Sequence, residues 1–157
     1  MLFTVSANYY LPGYINMSVV PLLPVYFENG AGRILENATG RYLYLRWSAN
    51  ERDTENFRAL LNHLARALVR HKWSKVLAIQ QTMQPLNEEE LRWMLQEWLP
   101  QAMHQAGYRH GAIVLPQQPD ARLTTAQLTN RAQQQAMNYQ TFEEEAEAVA
   151  WLMHQPD

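Results

Sequence analysis

The sequence contains no cysteine. Disulfides, thiol catalysis and cysteine-ligated zinc sites are therefore excluded. Neither sign of charge dominates, since 13 lysines and arginines face 15 aspartates and glutamates for a formal net charge of −2. A nucleic-acid reader concentrates basic residues on one face, and no such pattern occurs, so no nucleic-acid partner is expected. There is also no run of 18 or more apolar residues, the minimum for a membrane-spanning helix. The motifs HExxH, GxSxG, GxGxxG and the Walker loop are missing. Gly30-Ala31-Gly32 is too short for a phosphate loop and precedes a strand pattern, so it reads as a turn.

What is present describes a globular chain. Hydrophobic residues make up 47% and charged residues 18% of 157 residues, which suits one domain with one core. Met1 to Pro24 is apolar and aromatic, lacks a basic start, and is broken by Pro12, Gly13, Pro21 and Pro24. A signal peptide needs positive charge followed by an unbroken apolar stretch. The expectation is an arm over residues 1–24 and a domain over 25–157, in a cytoplasmic protein. Met17 opens the run MSVVPLLPVYFENG and is an alternative start, which would make residues 1–16 an added segment. Such an arm could add to a sheet edge or pack across the two-fold axis of a homodimer.

Strand patterns occupy Val25–Glu28, Arg33–Glu36 and Arg41–Trp47, separated by turn signals at Asn29–Gly32 and Asn37–Gly40. Along the third, Leu43, Leu45 and Trp47 share one face; Tyr42, Tyr44 and Arg46 share the other, which is expected to be partly wet. A helix is predicted from about Arg52 to His71, with Phe57, Leu60, Leu61, Leu64 and Leu68 in its apolar stripe. Lys75–Ile79 and Gly111–Leu115 read as buried parallel strands. Between them Asn87 and Glu90 form a capping-box pair ahead of a helix carrying Leu91, Met94, Leu95, Trp98 and Leu99. Pro100 predicts a kink near Gln96, and Gly107 a stop. A polar helix over about Arg122–Ala136 has only Leu123 and Leu128 as large apolar residues and is expected to be the most exposed. Asn138–Phe142 reads as an edge strand. Thr141 is expected to cap a last helix docked by Ala146, Val149, Ala150 and Met153. The fold class is α/β: a mixed sheet, antiparallel at its N-terminal strands and parallel thereafter, with about four flanking helices.

From about Val25 to His154 this layout resembles the SpoIIAA-like family of the STAS superfamily. The likeness rests on Tyr26-Phe27-Glu28-Asn29, the strand ending at Trp47, Trp73-Ser74-Lys75-Val76-Leu77, Glu97-Trp98-Leu99-Pro100 with Gly107, and Phe142 through Glu145-Ala146 to Ala150-Trp151-Leu152. It implies a four- or five-stranded sheet flanked by helices, and a non-enzymatic module that binds protein partners or small ligands. It also implies a switch, the phosphorylation of a serine at the start of the helix after a central strand. Here that segment is Gln80-Gln81-Thr82-Met83-Gln84-Pro85-Leu86-Asn87, without the serine or the aspartate before it. The usual phospho-serine switch is therefore not expected.

In open α/β folds, ligands gather at the carboxyl ends of parallel strands. The candidate partner- or ligand-binding residues there are Gln80, Gln81, Thr82, Gln84, Asn87 and Gln117, joined by Trp93 off the inner stripe of its helix. These amides and one hydroxyl can hydrogen-bond a backbone or a neutral ligand but are poor bases. No catalytic residue and no cofactor are expected. The five histidines lack the spacing of a helical metal site, and the two glutamate triplets sit at helix starts, where the dipole explains them. The first reading is a regulatory module that binds a protein. The second is a carrier or sensor of an apolar small molecule or lipid in a cleft beside Trp93.

Overall fold

The computed structural model describes residues 7–9, 17–19 and 22–157. Most of the arm expected over 1–24 lies outside these described residues. Two of its described pieces, β1 (Ala7–Tyr9) and β2 (Met17–Val19), pair antiparallel with each other.

The main sheet has six strands, β3 (Val25–Asn29), β4 (Gly32–Asn37), β5 (Tyr42–Trp47), β6 (Lys75–Ile79), β7 (His110–Val114) and β8 (Asn138–Phe142), lying side by side in chain order. The hairpin β3–β4 and its junction with β5 are antiparallel; β5 to β8 are parallel. The sheet therefore exceeds the four or five strands that the resemblance implied. Asn29 and Asn37 close the two tight turns, each with its side-chain oxygen accepting a backbone N–H at 2.8 Å, from Ala31 and Gly40.

The helices follow from the topology. They are α1 (Thr54–His71), α2 (Glu88–Trp93), α3 (Leu99–Gln105), α4 (Pro119–Gln134) and α5 (Glu145–Met153). Each crossover from β5 to β8 steps to the next strand in the same direction. Right-handed crossovers then put all the connecting helices on one face. That face carries Leu43, Leu45, Trp47, Val76, Ala78 and Ile113, packed against Phe57, Leu61 and Leu64 of α1, Leu99 of α3 and Leu128 of α4. No strand follows β8, so α5 is free to cover the opposite face, where Ala148 and Leu152 pack on Tyr42, Tyr44, Leu77, Ile79 and Val114. The second face of β5 is thus not wet as expected, since Tyr42 and Tyr44 are buried and only Arg46 is exposed.

Three local expectations are corrected. Thr141 does not cap α5; it pairs within β8 opposite Ile113, and the N-cap is Glu144 with no side-chain bond. The docked face of α5 is Ala148 and Leu152, whereas Ala146, Ala150 and Met153 are exposed and Val149 is half-buried. An alanine-rich helix has no sharp stripe, and its rotation is set by Glu145, which accepts the Tyr44 hydroxyl at 3.0 Å. The polar helix starts at Pro119, a residue that suits the first helical turn because its missing N–H would have no partner there.

The predicted kink takes the form of a π turn over Met94–Trp98, between α2 and α3. Leu99 N–H bonds to Met94 O, five residues back, so Leu95 O loses its helical donor. Gln135 Nε2 supplies one at 2.9 Å, and Trp98 Nε1 is anchored on Leu61 O at 2.7 Å. A glutamine of the polar α4 end thus completes a neighbouring helix.

Two measurements test this packing. A Cβ on Gly32 would lie 2.5 Å from Arg46 O, whereas one on Gly30 meets only the Asn56 side chain at 3.3 Å. We expect Gly32→Ala to cost about 1–3 kcal/mol in urea unfolding and Gly30→Ala about 1 kcal/mol or less. Burial raises the Tyr108 hydroxyl well above its ordinary value, and Tyr139 is pushed up to about 12. The unfolded chain ionises near pH 10 while the folded one keeps these protons. Stability should accordingly hold below about pH 10 and fall between about pH 10 and 12, with phenolate absorbance appearing only on unfolding at those two residues.

Candidate functional site at the carboxyl edge of the parallel strands

Because strand order follows chain order, the sheet contains no reversal of the kind that opens a ligand crevice in doubly wound folds. At the carboxyl edge the loops after β6 and β7 are instead held close against the core. The chain leaving β6 is pinned at each step. Gln80 N–H bonds to Val114 O at 3.0 Å, and its buried side chain accepts the Thr125 hydroxyl at 2.7 Å. Met83 N–H closes a turn on Gln80 O at 3.0 Å, and Met83 and Leu86 enter the core. Gln117 N–H reaches Gln81 O at 3.0 Å, which ties the next loop on. Thr124 Oγ1 accepts from Leu86 N–H at 3.1 Å.

The strongest anchor is Arg52, just before α1. Its guanidinium grips Glu90 of α2 with two bonds, Nε to Oε2 at 2.9 Å and Nη2 to Oε1 at 2.7 Å. It also donates to Gln84 O at 3.2 Å and Pro85 O at 2.9 Å. Its carbon lies 5.9 Å from the Trp47 ring centre and 5.5 Å from that of Phe57. Both side chains of the pair are over nine-tenths buried. Glu90 meanwhile closes the capping box, accepting from Asn87 N–H at 3.0 Å while Asn87 Oδ1 accepts Glu90 N–H at 2.7 Å. Nothing in the sequence singled out Arg52. It lies 38 residues from its partner, and only the fold brings them together.

The structure gathers six of the seven candidates along this edge and separates the seventh. Gln80 is buried and structural, and the Asn87 side chain is spent on its cap. Thr82, Gln84 and Gln117 face solvent, with Gln84 Nε2 donating to Ala49 O at 3.1 Å. Thr82 borders an open groove of about 420 Å³ shared with Asn29, Arg33, Arg46, Ser48 and Asn50. Trp93 is buried, edge-on to Phe57 at 6.0 Å and beneath the Arg58 guanidinium at 5.1 Å. It sits in the core, apart from Thr82 and Gln84.

The chemistry available is limited. Residues 80–87 and 115–118 carry no titratable side chain, so they offer no proton donor or acceptor near neutral pH. The apolar cavity bounded by Trp47, Leu64, Gln80, Trp98, Tyr108 and Tyr139 measures about 30 Å³. Pockets for drug-sized ligands run to roughly 300–1,000 Å³. Among the described residues no group of three or more histidines, aspartates or glutamates could hold a metal ion. His63 stacks on Phe27 at 3.8 Å, with burial and then Arg66 lowering its basicity. His71 stacks on Trp73 at 4.1 Å and bonds to Glu36. No described helix is long and apolar enough to cross a membrane.

A parallel α/β sheet extended by an antiparallel hairpin, with helices on both faces and uncharged polar loops after β6 and β7, is a scaffold of STAS type. The family model described as SpoIIAA-like matches residues 42–153, and the chain belongs to that family of regulatory and binding domains. The match includes β5 to β8 and every helix; the hairpin β3–β4, with Tyr26–Asn29, precedes it. No curated protein and no solved structure matches the chain.

The Arg52–Glu90 pair yields a double-mutant test. Arg52→Met or Glu90→Leu alone leaves one buried charge unpaired and should cost about 3–5 kcal/mol in denaturant unfolding. The double variant should recover most of that loss. A cost in the double equal to the sum of the singles would mean the two groups act independently.

Proposed function

We propose that this domain is a non-enzymatic regulatory module that binds a protein partner through its carboxyl edge, in the cytoplasm and without the usual phospho-serine switch. The observation that carries the reading is a backbone clamped by Arg52 and the Asn87 cap beneath outward-facing, uncharged Thr82, Gln84 and Gln117. Holding those groups in place lowers the ordering cost of association. Amides and a hydroxyl suit a partner's backbone N–H and C=O groups. The absence of titratable groups from these loops supports binding over catalysis. The position of the family's serine holds no serine, and Thr82 is the one hydroxyl in the segment.

Comparative capture tests the surface. The wild-type chain and a Thr82→Lys, Gln84→Lys variant, both exposed positions, would be used as bait under several growth conditions. We expect at least one protein to be retained by the wild type and lost, by tenfold or more, from the variant. Equal retention of every captured protein would place the partner surface elsewhere.

A further inference from the structure

The opposite, amino-terminal edge of the parallel strands is crossed by the segment after α5. Gln155 Oε1 accepts from Asn138 at 3.1 Å at the start of β8, and Asn138 Nδ2 lies 2.9 Å from His110 Nδ1 at the start of β7. Asp157 Oδ1 then meets Lys75 Nζ at 3.1 Å at the start of β6, and its Oδ2 lies 3.8 Å from Arg41, just before β5. The segment thus touches the first residues of β6 and β8 and the residue before β5.

The Lys75–Asp157 pair is lopsided. The lysine side chain is 5% exposed and the aspartate 56%. A buried ammonium needs a counter-charge, and among the described residues the exposed Asp157 is the carboxylate that supplies it. Lys75 holds the Asp157 carboxyl below the usual carboxylate range, so it is ionised at neutral pH. Asp157 also borders an open cavity of about 530 Å³ with Lys72, Trp73, Ser74, His104 and Arg109. Among the described residues neither Lys72 nor Arg109 is paired with a carboxylate. Ser74 Oγ is the one buried side-chain polar atom there without a hydrogen-bond partner. The Asp157 carboxylate thus pairs with two cations, Lys75 and Arg41, and borders a cavity lined by Lys72, Arg109 and Ser74, in a protein whose formal net charge is −2.

We propose that Lys75, with Arg41 at the rim, forms an oxyanion site that Asp157 occupies as a tethered ligand and that a small carboxylate or phosphate anion competes for, entering from the cavity that Ser74 and Arg109 line. The site lies at the edge opposite Thr82 and Gln84, so it stands or falls apart from the partner surface. A tethered group competes at an effective concentration in the millimolar range. The native site should therefore look weak until the tether is disabled.

The test uses the full chain at constant ionic strength, titrated separately with sodium phosphate and sodium acetate and followed by the Lys75 side-chain and Ser74 amide resonances. We expect weak saturable shifts in the wild type, at least tenfold tighter binding in Asp157→Asn, and loss of the shifts in Lys75→Met. Tighter binding of phosphate points to a phosphate-bearing ligand, and tighter binding of acetate to a carboxylate. Unchanged affinity in Asp157→Asn overturns the proposal. So does binding that persists in Lys75→Met, or a Lys75 resonance in the native chain that ignores both anions, a readout that does not depend on the variant folding.

Discussion

The guanidinium of Arg52 is the point at which the carboxyl edge of this domain is assembled. It is sandwiched near Trp47 and Phe57, and it joins the start of α1 to the loop after β6 and to the first turn of α2. Burying such an ion pair is not in itself a strong source of stability, because desolvation offsets much of the attraction. Its value here is geometric. Each carboxylate oxygen of Glu90 accepts from Arg52, and Oε1 accepts from Asn87 as well, while two of the guanidinium nitrogens also reach backbone carbonyls. A shift of either helix start would leave charged groups buried without partners, so the loop between them has little freedom.

The chain-order sheet explains why the domain presents a surface and not a crevice. With every crossover stepping the same way, helices α1 to α4 stay on one face and fill it. The opposite face is left to α5, which rests on β6, β7 and β8 and bonds to Tyr44 of β5 through Glu145. The two ends of the parallel strands then take different characters. The loops after β6 and β7 bear neutral amides and a hydroxyl, whereas at the amino ends Lys75 and Arg41 pair with Asp157 and Lys72 and Arg109 line the cavity it borders.

The π turn shows the same economy of contacts at a smaller scale. Pro100 cannot donate a hydrogen bond, and the helix before it widens by one residue. That widening frees Leu95 O, which the end of α4 satisfies through Gln135. A feature that looks like a local defect is thereby tied to tertiary structure, and the glutamine-rich end of α4 acquires a packing role that its polarity alone would not suggest.

The sequence by itself determined the class of fold, the strands β6 and β8 to the residue, the capping box at Asn87 and the alternation of Leu43, Leu45 and Trp47 with Tyr42 and Tyr44. These are properties of period, turn chemistry and capping, which act between residues a few positions apart. It also determined that the loops after β6 and β7, residues 80–87 and 115–118, carry no titratable group, since that is a matter of composition. Only the tertiary structure decided that Trp93 is core, that Thr141 does not cap α5, that α5 docks by Ala148 and Leu152, and that Arg52 meets Glu90 and Lys75 meets Asp157. Those outcomes depend on which distant segments the sheet order brings together. Local pattern places a residue on a face, but the neighbour across 38 or 82 positions is chosen by topology.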